Sequence, residues 1–186
     1  DVVFLTETWG KDKDDAPPLI CYQSFSLNRP LHRGGGVMLL LKEDMHCELI
    51  PDFCVPCDDF EILTARVGKY LFSVCYRPPN RNPDSFFCFY EKLLHFSSEN
   101  MYYLVSAGDF NIDMLGQSTS QQAINTLILS NGFDSVITSP TRITENSATL
   151  LDLFVTNINR NTAFTGVLSD DISDHLPIFL FIKNLV

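Results

Sequence analysis

The residues best equipped for chemistry stand where short apolar runs begin or end. Glu7 follows the run 2–5 across one threonine, and Tyr76 closes the run 70–76. Asp109 and Asn111 follow the run 102–107 across Gly108, while Asp174 and His175 directly precede the run 176–182. Asp152 lies inside a run of its own, flanked by Leu150, Leu151, Leu153 and Phe154. Carboxylates, an amide, an imidazole and a phenol thus stand near the tips of strand-like segments, where rigid scaffolds present catalytic groups. Acidic side chains can collect a divalent cation there, and the cation can meet a phosphate.

Each of these residues also has a plainer reading. A Glu after a strand is most often a solvated turn residue. Gly-Asp-Phe-Asn has the composition of an ordinary turn, and Ser-Asp-His before a strand could cap one. Asp152 is harder to dismiss, because a carboxylate among apolar neighbours is costly to bury without a partner. The imidazoles that could pair with it are His32, His46, His95 and His175.

The elements that must position these groups are mostly strands. The runs 2–5, 36–41, 60–67, 70–76, 102–107, 150–156, 164–168 and 176–182 are short and rich in β-branched or aromatic residues. Val67-Gly68-Lys69-Tyr70 reads as the turn of a hairpin. Helical spacing emerges from Asp84, through Phe86, Phe89, Tyr90, Leu93 and Leu94, after an Asp or Ser cap. A second helix runs from Ser120 through Ile124, Leu127 and Ile128, with Gly132 placed to end it. The Gly34–Gly36 triplet lacks the Lys-Ser/Thr of a phosphate-cradling loop and reads as a turn into the next strand. Many strands, two helices and no regular alternation predict an α+β fold, with residues 1–186 as one domain.

Composition narrows the function. The net charge of −10 argues against a plain DNA-binding module, which holds phosphates by neutralising them, but not against an enzyme that recruits a cation. No run approaches the roughly 18 apolar residues of a membrane span. Cys54-Val-Pro-Cys57 is a lone CxxC with only His46 nearby, short of the four ligands a structural zinc needs, and reads as loop thiols. The absence of a signal-peptide layout and of any Asn-x-Ser/Thr sequon points to an intracellular, unsecreted protein. The chain opens on a strand pattern with no preceding turn, as would a segment cut from something longer.

Five motifs then fall into a known order: Thr6-Glu7-Thr8-Trp9, Tyr76-Arg77-Pro78-Pro79, Gly108-Asp109-Phe110-Asn111, Leu151-Asp152-Leu153 and Ser173-Asp174-His175. The order resembles the endonuclease/exonuclease/phosphatase superfamily. Arg33-Gly34-Gly35-Gly36-Val37, and Ser139-Pro140-Thr141-Arg142 ahead of Thr149-Leu150-Leu151-Asp152, look more narrowly like the endonuclease domains of LINE-type (non-LTR) retrotransposons.

The resemblance implies a DNase I-like, four-layer sandwich of two mostly antiparallel sheets flanked by helices. It implies a DNA phosphodiesterase using Mg²⁺ or Mn²⁺. Glu7 would bind the metal, with Asp174 beside it or serving the water as base. Asp109 would hold or activate the water and Asn111 would orient it and the phosphate. His175, held by Asp152, and Tyr76 would contact the phosphate. Thr141, Arg142 and Arg77 would contact the substrate backbone, and Arg81 with Arg77 could flank the DNA.

The resemblance also implies fusion to a reverse transcriptase and action in the nucleus. The family carries an earlier, Asn-bearing strand that this sequence does not show, so a domain without its first strand and helix is expected. A non-catalytic remnant, and a phosphoesterase acting on a lipid or nucleotide phosphate, are the alternatives.

Overall fold

The computed structural model describes residues 1–10, 19–29, 34–170 and 172–183. His32 and Arg33, named above, lie outside them. The strands are β1 (Val2–Thr6), β2 (Tyr22–Leu27), β3 (Val37–Lys42), β4 (Glu48–Pro56), β5 (Glu61–Val67) and β6 (Tyr70–Tyr76). Helix α1 (Asp84–Glu99), β7 (Tyr103–Asp109) and helix α2 (Thr119–Ser130) follow. The chain continues through β8 (Asp134–Ser135), β9 (Arg142–Ile143), β10 (Ala148–Thr149), β11 (Asp152–Thr156), β12 (Ala163–Val167) and β13 (Ile178–Ile182).

The central sheet has the order β4-β5-β6-β7-β11-β8. Gly68, at φ +56°, makes the tight turn that joins β5 to β6. The β6–β7 pair is parallel, and α1 makes the crossover that such a pair requires. The two strands press together at Gly108, where a Cβ would lie 1.9 Å from the Cys75 carbonyl oxygen. Along β6, side chains alternate. Leu71, Ser73 and Cys75 take one face, and Phe72, Val74 and Tyr76 take the other.

Both helices lie on the first of these faces. Phe86, Tyr90, Leu93 and Leu94 form the buried stripe of α1, and Phe86 and Tyr90 meet Phe110 edge-on at 5.3 and 5.4 Å. The expected Asp or Ser cap is not used in α1. Pro83 is the N-cap, and Asn82 Oδ1 accepts the Asp84 amide at 3.1 Å instead. In α2 the cap is Ser118, two residues before the expected start, and Gly132 ends the helix at φ +79°.

The other face is covered by β1, whose Phe4 packs on Phe72 and Phe154 at 6.4 and 5.8 Å. This second layer departs from the expected single sheet. It comes in two pieces, β1-β3-β2 and β12-β13. Among the described residues no helix covers its outer side, and three of the four expected layers are seen. Among the described residues, strand β1 pairs with β3 alone and is only half-buried, and its other edge borders a cleft.

The cleft, about 1080 Å³, runs between β1 and β13 over a floor of Phe72, Val105, Ala107 and Phe154, and ends at Asp152 and His175. No helix among the described residues is long and apolar enough to cross a membrane.

Candidate functional site

The site is built on one row of the central sheet. Glu61 of β5 faces Tyr76 of β6, Tyr76 faces Asp109 of β7, and Asp109 faces Asp152 of β11. Strand register therefore aligns three carboxyl groups and a phenol from four successive strands. Two groups reach the row from outside the sheet. The Tyr76 hydroxyl donates to Glu7 Oε1 at 2.6 Å, just beyond β1. His175 Nδ1 lies 2.8 Å from Asp152 Oδ2, ahead of β13, as the apolar flanks of Asp152 require.

Local turns set each group in place. Asn111, at φ +48°, folds back on Asp109: its amide N–H donates to Oδ1 at 2.8 Å and its side-chain Nδ2 to Oδ2 at 2.7 Å. This is the self-bonded turn that Asp and Asn favour. The Ser173 hydroxyl accepts the His175 amide at 3.0 Å, and an isolated bridge pairs His175 with Arg142.

Burial and crowding tune the charges. Burial, then the negative charge of Asp152, pushes the Asp109 carboxyl up to about 7, while Asn111 and His175 pull against the rise. The hydrogen bond to Asp152 raises His175, with burial opposing it. Burial, then the bond to Glu7, holds the Tyr76 phenol well above its ordinary value, so it stays a donor. Ligand atoms of Asp109, Asp152 and His175 lie within 4.8 Å of one another, the one such compact group among the described residues. Crowded carboxylates whose like charges raise a pKa are what a hard divalent cation relieves, so this donor set fits Mg²⁺ or Mn²⁺.

Glu7, Tyr76, Asp109, Asn111, Asp152 and His175 are thus brought together. Asp174 lies beside them, with its carboxylate 2.8 Å from Arg142 Nη2 and both side chains substantially exposed. Thr141 and Arg77 differ from the expected substrate contacts. Thr141 is fully buried, and its hydroxyl accepts the amides of Leu151 and Asp152 at 3.1 Å, so it holds the Asp152 strand. Arg77 is 5% exposed, and its donors go to the carbonyls of Pro78, Arg81, Phe110 and Asn111, so it braces the Asp109 loop.

The sequence reading missed Glu61 and Arg29, which flank Tyr76 on its far side. Glu61 carries the same signal that exposed Asp152, a carboxylate among apolar neighbours Phe60, Ile62 and Leu63. The CxxC thiols are occupied locally: Cys54 bonds the Ile50 and Thr64 carbonyls, and Cys57 that of Phe60.

Several solved structures share this architecture. The 3′–5′ exonuclease NExo from Neisseria meningitidis superposes with a TM-score of 0.72 at 15% identity, over 98% of this chain and 89% of that one. A Neisseria NExo variant, a 3′ phosphatase bound to a product DNA hairpin, gives 0.69 at 15% identity, over 98% and 89% of the two chains. The endonuclease domain of TRAS1, a telomere-specific non-LTR retrotransposon, gives 0.68 at 11% identity, over 88% and 81%. At such identities the likeness shows the fold, which is DNase I-like. No curated protein matches by sequence. The family model for the endonuclease/exonuclease/phosphatase family matches residues 1–175, and the chain belongs to that family.

Proposed function

We propose that the chain hydrolyses DNA phosphodiester bonds with a divalent cation, Mg²⁺ or Mn²⁺, as a retrotransposon-type endonuclease. The observation that carries this reading is the convergence of Asp109, Asp152 and His175 with the Glu7–Tyr76 pair at one end of the sheet. Such a set can hold a cation, a water and a phosphate together. The likeness to NExo, a 3′ phosphatase bound to a DNA hairpin, and to the endonuclease domain of the non-LTR element TRAS1 supports the choice of substrate. The retrotransposon-type reading would place the protein in the nucleus, fused to a reverse transcriptase.

Glu7 would hold the metal beside the compact Asp109–Asp152–His175 group, with Asp174 at the rim. When bound, the cation offsets the charge of the phosphate and of the departing oxygen. Asp109, with its pKa lifted towards neutrality, accepts the proton of the attacking water. The water oxygen bonds to phosphorus, the bond from phosphorus to the 3′-oxygen breaks, and the 3′-oxygen takes up a proton as a hydroxyl. Asn111 orients the water. Tyr76 donates to the phosphate, and His175, held through Nδ1 by Asp152, offers Nε2 to the charge developing there. Arg142 is the remaining candidate for a backbone contact.

A plasmid-nicking assay tests this. Supercoiled DNA should be nicked in Mg²⁺ and left intact in EDTA. Asp109→Ala or His175→Ala should lose at least about a hundredfold. Undiminished nicking by either variant would show the roles to be wrong. Turnover of a phosphoinositide or a nucleotide in place of DNA would move the substrate within the family. The open cleft beside β1 favours a second reading, a folded remnant without turnover, which total inactivity of a well-folded chain would support.

A further inference from the structure

The Gly34–Gly36 turn encloses an ion pair that none of the roles above uses. Glu61 is fully buried, and both its oxygens lie 3.0 Å from the Gly36 amide nitrogen. Arg29 donates from Nη2 to Glu61 Oε2 at 3.3 Å, and only 10% of its side chain is exposed. Its guanidinium carbon lies 5.5 Å from the centroid of the Tyr76 ring. Its Nε is buried with no hydrogen-bond partner among the described residues.

The enclosure is tight. A Cβ on Gly35, at φ +75°, would come within 2.6 Å of Glu61 Oε2 and 2.8 Å of Arg29 Nη2. The same turn holds the segment that carries Glu7. The Thr8 and Trp9 amides donate to the carbonyls of Gly36 and Gly35 at 3.2 and 2.9 Å. One cluster thus grips the Tyr76 ring from one side and the Glu7 segment from the other.

A buried ion pair contributes little to stability, since apolar groups of the same volume often serve as well or better. What this pair supplies is placement. A planar guanidinium, tethered by a carboxylate that cannot turn away, fixes the plane of the ring it lies on.

We infer that Arg29, tethered by Glu61, is a positioning residue that fixes the Tyr76 ring and so the place of its hydroxyl beside Glu7. It touches no substrate and acts through Tyr76. The activity arm of the test rests on the proposed function; the spectroscopic arm does not.

The experiment compares Arg29→Met, Arg29→Lys and Glu61→Gln with the parent chain. Tyrosine rings are ¹³C-labelled, and Tyr76 is assigned through Tyr76→Phe. In Arg29→Met the Tyr76 ring signals should shift and broaden while those of the buried Tyr90 stay put. The value of kcat for nicking supercoiled DNA should fall roughly tenfold, with KM unchanged within about twofold. Arg29→Lys should recover part of both effects.

Tyr76 signals identical to the parent's in Arg29→Met would overturn the inference. So would a lowered Tm with kcat per folded molecule intact, which marks a merely structural pair. If Arg29→Met does not fold, Glu61→Gln should reproduce the Tyr76 shift, and failure of both to fold would also overturn it. Should the parent chain prove inactive on DNA, the proposed function fails and the ring signals decide the inference alone.

Discussion

Asp109 and Asp152 stand directly opposite each other on adjacent antiparallel strands. Like charges at facing positions destabilise a sheet, and here the conflict is eased by a proton. Burial and Asp152 lift Asp109 from 3.8 to about 7, and the bond to Asp152 lifts His175 above 6.5. Both raised values favour the protonated folded chain. Their stabilisation is complete below the unfolded values and is lost as pH rises through the folded ones. The metal-free Tm should therefore fall between about pH 5 and pH 8. Melts in EDTA across that window check it, and a Tm that rose instead would contradict it. Mg²⁺ should raise Tm more at pH 8 than at pH 6, because it then replaces the missing protons.

Removing the Asp152 charge separates the two members of its pair with His175. Asp152→Asn keeps the volume and should lower the His175 pKa, since the hydrogen bond to Asp152 is the main cause of its rise. An NMR titration of the imidazole reads this directly. Nicking should fall between about tenfold and a hundredfold. An unchanged imidazole titration would show that the 2.8 Å contact does not persist in solution.

Gly108 carries no chemistry, yet Asp109 depends on it. Its φ is +140°, and an added Cβ would meet the Cys75 carbonyl oxygen at 1.9 Å. Gly108→Ala must force β6 from β7 as well as adopt a strained backbone, and should cost at least about 2 kcal/mol in urea unfolding. An equally stable alanine variant would mean that the two strands are not so closely apposed.

The arginines near the site should divide sharply. Arg77→Met leaves the buried Phe110 carbonyl without its Arg77 donor, at about 1–3 kcal/mol, and the part-buried Asn111 carbonyl without its own at less. Arg142→Ala removes a partly exposed pair with Asp174 and should change stability by no more than about 1 kcal/mol. Urea melts of the two variants give the comparison. Equal costs would remove Arg77 as the brace of the Asp109 loop.

Strands that form the apolar floor were legible because their alternation is uninterrupted, as in β6 and β7. Apart from the two-residue strands β8, β9 and β10, two strands were not. Tyr22–Leu27 alternates with serines and a glutamine, and Glu48–Pro56 contains Pro51 and Pro56 with a break in register between Leu49 and Cys54. Proline belongs at edges and bulges, and β4 is an edge. The parallel β6–α1–β7 unit was hidden because it occurs without the repetition that usually betrays one.

In the site, Asp152 was legible from its apolar neighbours, and its pairing with His175 followed from the cost of burial. Glu61 shows the same pattern and was passed over inside a strand. Arg29 gave no local sign, since its role depends on a turn and a ring distant in sequence. Arg77 was misplaced for a related reason: an arginine beside Pro78-Pro79 looks exposed until the carbonyls that surround it are known.

The cleft between β1 and β13 has a consequence for how the chain behaves in company. Val-Val-Phe-Leu-Thr and Ile-Phe-Leu-Phe-Ile contain no charge and no proline, the usual guards of an open strand edge. Among the described residues neither edge along the cleft has a strand partner, and segments of this composition can template further strands between chains. Recovery from denaturant should therefore worsen with protein concentration, as intermolecular pairing outpaces closure of the domain. Any polypeptide that lay in the cleft would act as a solubility device before it acted on the active site.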